Sequence, residues 1–114
     1  MRIENFENII AWKKANKLAK IVYFNFRNCR DYSFKDQIQR ASISIMNNIA
    51  EGFERRTNKE FVNFLYIAKG SSGEVRSMLH LALEFKYITK EQFREAYDLS
   101  IEISKILSGF IKTL

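Results

Sequence analysis

The side chains able to do chemistry in this sequence are few and scattered. There is one histidine, His80, and one cysteine, Cys29. No glycine-rich phosphate loop follows a strand pattern, and no His, Cys, Asp and Glu recur at metal-ligand spacing. Glu51, Glu54, Glu60 and Glu74 are carboxylates that two neighbouring helices could bring together, as di-iron bundles do. Such sites need Glu-x-x-His pairs, and none occurs here. The expectation is a protein with no catalytic residues, no cofactor and no metal. His80 then reads as a surface or interface residue, and function has to rest on surface and assembly.

The cations are better placed. Lys and Arg number 19 against 13 Asp and Glu, a formal net charge of +6. Such an excess favours an anionic partner, because each phosphate contact releases condensed counterions. Lys13, Lys17, Lys20, Phe24 and Arg27 fall close to one line along a helix, with Lys14 beside it and no acidic residue interleaved. Arg55, Arg56 and Lys59 form a second cluster. If the helices carrying the two groups are antiparallel, Lys13 and Lys14 come near that cluster and one end of the molecule is strongly basic. Lys13, Lys14, Lys17, Lys20, Arg55, Arg56 and Lys59 are the candidate nucleic-acid contacts. They would grip phosphates of RNA or DNA without reading sequence. Phe24, on the lysine line, reads as an interface residue.

Four helices must position these groups. The chain has 114 residues, no proline and 46% hydrophobic residues, which suits one all-α domain spanning 1–114. Residues 1–6 read as a short arm with Asn5 as a cap and Phe6 as an apolar anchor. The first helix is expected over 7–28, with Ala11, Ala15, Leu18, Val22 and Phe26 inward, broadened by Trp12, Ala19 and Tyr23. Ser33 with Asp36 makes a loose capping box for a second helix over 34–55. Its apolar seam is Ile38, Ala41, Ile45, Ile49 and Gly52. Beside that seam runs a polar stripe of Gln37, Arg40, Ser44, Asn48, Glu51 and Arg55.

Thr57 with Glu60 caps a third helix over 58–86, where Phe61, Ala68, Val75 and Ala82 recur every seven residues alongside Leu65, Ser72 and Leu79. Gly70-Ser71-Ser72-Gly73 could break it, but the seven-residue phase is the same on both sides, so the helix is expected to continue. The glycines would let helix 2 approach through Ala41, Ser42, Ser44 and Ala50. Thr89 with Gln92 caps the fourth helix, which runs to the C-terminus with Phe93, Tyr97, Ser100, Ile103, Leu107, Phe110, Ile111 and Leu114 inward. Short turns between long helices give an antiparallel up-down-up-down four-helix bundle.

Helices 3 and 4 carry more apolar residues than one stripe needs: Ile67, Met78, Leu81 and Phe85 on one, and Leu99, Ile106 and Phe110 on the other. Exposing them all would make a patch larger than most monomers show, so a homo-oligomer is expected. A single cysteine and a charged start without an apolar run indicate a cytoplasmic protein, and no apolar run is long enough to cross a membrane.

The run from Arg40 to Gly52, Arg-Ala-Ser-Ile-Ser-Ile-Met-Asn-Asn-Ile-Ala-Glu-Gly, continues through Arg56, Glu60-Phe61, Phe64-Leu65-Tyr66-Ile67-Ala68-Lys69-Gly70-Ser71 and Glu74. With Trp12-Lys13-Lys14-Ala15, it resembles the four-helix-bundle proteins encoded in intervening sequences of bacterial large-subunit ribosomal RNA genes. That family is similar in fold to the accessory protein of diversity-generating retroelements. The resemblance implies a homopentameric barrel whose basic surface engages nucleic acid or, in the retroelement branch, a reverse transcriptase. It also implies a motif seam of Arg40, Ser44, Asn48, Glu51, Gly70, Ser71 and Glu74, bonded between helices or subunits, and it assigns no molecular activity. Residues and resemblance together give the expectation of a non-enzymatic oligomer that binds nucleic acid. The alternative is a scaffold that docks a nucleic-acid enzyme such as a reverse transcriptase.

Overall fold

The computed structural model describes residues 3–114, which form a short 3-10 turn (Phe6–Asn8) and four helices, α1 (Ile10–Asn25), α2 (Tyr32–Phe53), α3 (Asn58–Glu84) and α4 (Lys90–Lys112). Each helix packs against two neighbours in the cyclic order α1, α2, α3, α4. Antiparallel pairing shows in the contacts. Phe26 meets Phe34, Phe53 meets Phe61, and Phe61 meets Phe110. Asn25 near the end of α1 accepts a hydrogen bond from Gln92 at the start of α4. The bundle is a rod of 43 × 22 × 19 Å, and α3 alone, at about 1.5 Å per residue, runs nearly its full length.

The seven-residue pattern of α3 translates directly into burial. Phe61, Leu65, Ala68, Ser72, Val75, Leu79 and Ala82 are all buried, as is the α2 seam of Ile38, Ala41, Ile45, Ile49 and Gly52. Helix α3 passes through Gly70 and Gly73 without a break. Both predicted Thr caps form complete capping boxes, Thr57 with Glu60 and Thr89 with Gln92.

Other boundaries differ from the sequence reading. Helix α1 starts at Ile10 because Ile9, extended and only 3% exposed, is drawn into the core. Phe6 packs edge-on to Trp12 at 5.4 Å, but Asn5 makes no side-chain cap. Helix α2 is capped by Asp31 rather than Ser33. Asp31 Oδ1 accepts the Phe34 N–H at 3.2 Å, while its Oδ2 accepts the Tyr87 hydroxyl at 2.7 Å. Tyr87 itself is placed by the end of α3, where Lys86 takes a left-handed conformation (φ 61°). There the Tyr87 and Lys86 N–H groups bond Ala82 O and Leu83 O in a Schellman arrangement.

The close approach of α2 and α3 also lies elsewhere than expected. A Cβ on Gly70 would meet nothing within 4 Å, and one on Gly73 would meet only the Arg76 guanidinium, at 3.6 Å. A Cβ on Gly52 would stand 2.6 Å from Phe64 Cβ and 3.0 Å from the Phe61 ring. Gly52 is therefore the residue that lets the two helices meet.

The surplus apolar residues split between the two helices. On α4, Leu99 is buried and Ile106 and Phe110 pack against the core. On α3, Ile67 (52% exposed), Leu81 (39%) and Phe85 (52%) stay in solvent. Tyr23 and Leu114, expected inward, are exposed as well.

Two predictions follow from this packing. Gly52→Ala should destabilise the bundle by about 1–3 kcal/mol through overpacking, and Gly70→Ala should stabilise it by about 0.5–1 kcal/mol by restricting the unfolded chain. Thermal unfolding of the two variants should shift in opposite directions; equal shifts would refute the assignment. The second concerns Tyr87. Its bond to Asp31, then burial and the carboxylate's charge, push the phenol up to about 12 from 10.0. Because the folded value is the higher, the bond's contribution to stability is complete below pH 10 and lost as pH rises through 12. An ultraviolet tyrosinate titration should lose its step near pH 12 in Tyr87→Phe, and the stability gap between the two proteins should close over the same interval.

Candidate nucleic-acid interface

The candidate cations fall in two groups, one on α1 and one where α2 passes into α3. Lys13, Lys17 and Lys20 are exposed on the outward face of α1, since their three- and four-residue spacing keeps them on one line opposite the buried Ala11, Ala15, Leu18 and Val22. The line continues to Phe24, 59% exposed, whose ring carries the Arg27 guanidinium at 3.8 Å. Lys14 does not join it. One position round the helix, it faces α4 and pairs with Glu102 at 2.9 Å.

Arg55, Arg56 and Lys59 are exposed where α2 passes into α3. Arg55 is tied to Glu51 at 3.3 Å and lies over the Phe64 ring at 4.7 Å. Arg55 and Arg56 also border a cleft of about 390 Å³ floored by Phe53, Phe61 and Phe110. Among the described residues, ion pairs engage Lys14, Arg40 and Arg55. Lys13, Lys17, Lys20, Arg56 and Lys59 are in none of them.

The motif residues divide between two jobs. Ser44 and Ser71 hydroxyls meet across α2 and α3 at 2.9 Å, and Asn48 Nδ2 donates to both Ser44 O and Ser44 Oγ. Gln37 Nε2 donates to Glu74 at 3.1 Å, closing the same interhelical seam. Arg40 and Glu51 stay local, Arg40 paired with Asp36 one turn away on α2 and Glu51 with Arg55 just past its end. Gly70 is exposed and takes no part. A shallow polar groove of about 460 Å³ borders the seam, lined by Asp36, Gln37, Arg40, Ser44 and Glu74.

A second polar cluster, between α3 and α4, was not found from the sequence. Ser72 Oγ donates to Ser100 O at 2.9 Å, and Ser104 Oγ lies 3.0 Å from Ser72 Oγ. Arg76 Nη1 donates to Ser72 Oγ, Ser100 O and Ser104 Oγ at 3.3, 3.3 and 2.8 Å. Serines at inward positions were the available signal, but the arginine that gathers them lies one turn along the neighbouring face. His80 is exposed, as expected, and its ring stands 5.3 and 5.2 Å from those of Phe93 and Tyr97. Among the described residues no group of three or more His, Cys, Asp or Glu is placed to hold a metal ion, and no helix is long and apolar enough to cross a membrane.

Comparison with known proteins agrees with this architecture. No curated protein matches the sequence. Among the matching chains of known structure is a protein of unknown function from the S23 ribosomal protein family of Bacteroides thetaiotaomicron. It is 30% identical with a TM-score of 0.84, over 90% of this chain and 99% of that one. The model of the 23S rRNA-intervening sequence proteins matches residues 7–109. With the four-helix bundle and its Arg40-to-Gly52 motif in place, the chain belongs to the 23S rRNA-intervening sequence protein family.

Proposed function

We propose that this protein is a non-enzymatic homo-oligomer that binds nucleic acid through phosphate contacts. The observation that carries the reading is the line of Lys13, Lys17 and Lys20, exposed on α1 and in no ion pair among the described residues. Like charges one turn apart repel each other, and a polyanion relieves that repulsion as it binds. Arg56 and Lys59 add a second contact surface. The family description, which links its members to 23S rRNA intervening sequences, supports a nucleic-acid setting.

Assembly rests on α3. Ile67, Leu81 and Phe85 remain exposed there, and Met78, Leu81 and Phe85 border a groove of about 450 Å³ against Phe34 of α2. A second copy covering this strip would remove it from water. A ring of copies, five on the family resemblance, would repeat the lysine line and let weak phosphate contacts add. The same strip also favours a second reading, docking of a nucleic-acid enzyme such as a reverse transcriptase. Partners retained after nuclease treatment would select that reading.

The test is a salt titration of RNA binding. Replacing Lys13, Lys17 and Lys20 together by Gln should lower the slope of log affinity against log salt by about 2–3, as expected for three lost phosphate contacts. Lys14→Gln should do much less, because Glu102 already neutralises that cation. An unchanged slope in the triple variant would refute the assignment.

A further inference from the structure

Several features of α3 and α4 go beyond what the packing of the bundle needs. Gly70 and Gly73 are each less favourable than alanine inside a helix, yet no neighbouring helix requires either of them. Arg76 is half-buried, and all three of its hydrogen bonds run from Nη1 to neutral oxygens. It is in no ion pair among the described residues. A partly desolvated guanidinium without a counter-charge favours an incoming anion, and its planar fork suits phosphate. Its Nη2 lies beside Gly73, where a Cβ would stand 3.6 Å away, so the bare helix surface leaves that edge approachable.

The same face carries aromatic rings on one side of Arg76 and lysines on the other. One turn beyond it, His80 meets Phe93 and Tyr97, which stack with centroids 5.1 Å apart and planes 22° from parallel. In the other direction Tyr66, Lys69, Ser108 and Lys112 line a cleft of about 290 Å³. From Tyr97 to Lys112 the helix rises about 22 Å, the span of several nucleotides. Glu84, at the far end past His80, is a carboxylate that this helical spacing brings to the face. A surface with partly exposed rings at one end, a cation at its middle and a cleft flanked by lysines at the other matches a single strand, whose unpaired bases can lie on rings while its backbone meets the cations. A duplex hides its base faces and would use only the cations.

We infer that the groove between α3 and α4 is a track for single-stranded nucleic acid, with bases on the His80–Phe93–Tyr97 cluster and phosphates on Arg76, Lys69 and Lys112. The inference rests on the nucleic-acid reading above and assigns it a strand class and a second surface, distinct from the lysine line of α1. The α1 line supplies contacts that any polyanion can use. The groove supplies discrimination for unpaired bases.

The experiment uses the full chain with a labelled oligouridylate and a blunt RNA duplex of equal length. Tyr97→Leu, which keeps apolar volume and removes the ring, should weaken oligouridylate binding about fivefold or more and leave duplex binding unchanged. Lys69→Gln with Lys112→Gln should lower the single-strand salt slope by about 1.4. Ultraviolet crosslinking of the unaltered protein, with adducts located by mass spectrometry, should mark His80, Phe93 or Tyr97 and does not depend on any variant folding. Adducts confined to α1 or to the turn between α2 and α3, with unchanged single-strand binding in both variants, would overturn the track and leave the broader nucleic-acid reading standing. Failure to bind either RNA would overturn both. A change of oligomeric state in the double lysine variant would show that a second copy occupies the groove, and would overturn the track as well.

Discussion

The contact on which this bundle depends is the meeting of α2 and α3 at Gly52. Phe64 and Phe61 occupy the space a Cβ would need, so the two helices lie as near as backbone and ring allow. Close packing of this kind has a consequence for register. It fixes the register in which Ser44 faces Ser71 and Gln37 faces Glu74, because a hydroxyl pair at 2.9 Å tolerates little sliding. The side chains of Ile67, Leu81 and Phe85 turn outward for a separate reason, since the inward positions of α3 are already filled by Phe61, Leu65, Val75 and Leu79.

The α3–α4 contact is built differently. Where α2 and α3 use a missing side chain, α3 and α4 use hydrogen bonds, with Ser72, Ser100 and Ser104 gathered under Arg76. Buried hydroxyls are tolerable only when each has a partner. Here they do, and no buried side-chain nitrogen or oxygen among the described residues lacks one. The cluster holds Arg76 in a single orientation. An arginine held by neutral oxygens keeps its full charge available at the surface, unlike Arg55, whose charge is largely met by Glu51.

What the sequence disclosed follows from the range of each interaction. The inward residues of α2 and α3 were legible because helical periodicity is local and the core needs only that a face be apolar. The Thr57 and Thr89 caps were legible for the same reason, each being complete within four residues. The choice of Asp31 over Ser33 was not, because it is made by Tyr87, 56 positions away. Lys13 and Lys14 look equivalent in a sequence; Glu102 separates them. The role of the glycines was misplaced for a similar reason. A glycine in a helix signals that something approaches or that nothing does, and only the neighbouring helix distinguishes Gly52 from Gly70. In the candidate site, the lysine line could be drawn from spacing alone, whereas the Arg76 cluster joins residues of two helices and needed the fold.

The bundle's three surfaces are compatible with one another because a four-helix rod has a separate face for each. The lysine line lies on the outside of α1, the apolar strip on α3 beside α2, and the Arg76 cluster between α3 and α4. A copy seated on the strip would cover α3 from the α2 side and leave the groove's α4 wall open. Assembly and strand binding then need not compete for the same residues, and each added copy would bring another lysine line and another groove. Had the apolar strip turned towards α4 instead, it would have shared a face with Arg76, and burying the strip would have buried an uncompensated charge, a cost of several kcal/mol by the usual desolvation penalty. The helical phase of α3, set by its buried Phe61, Leu65, Val75 and Leu79, settles which way that strip turns, and so bears on whether Arg76 on the same helix stays accessible.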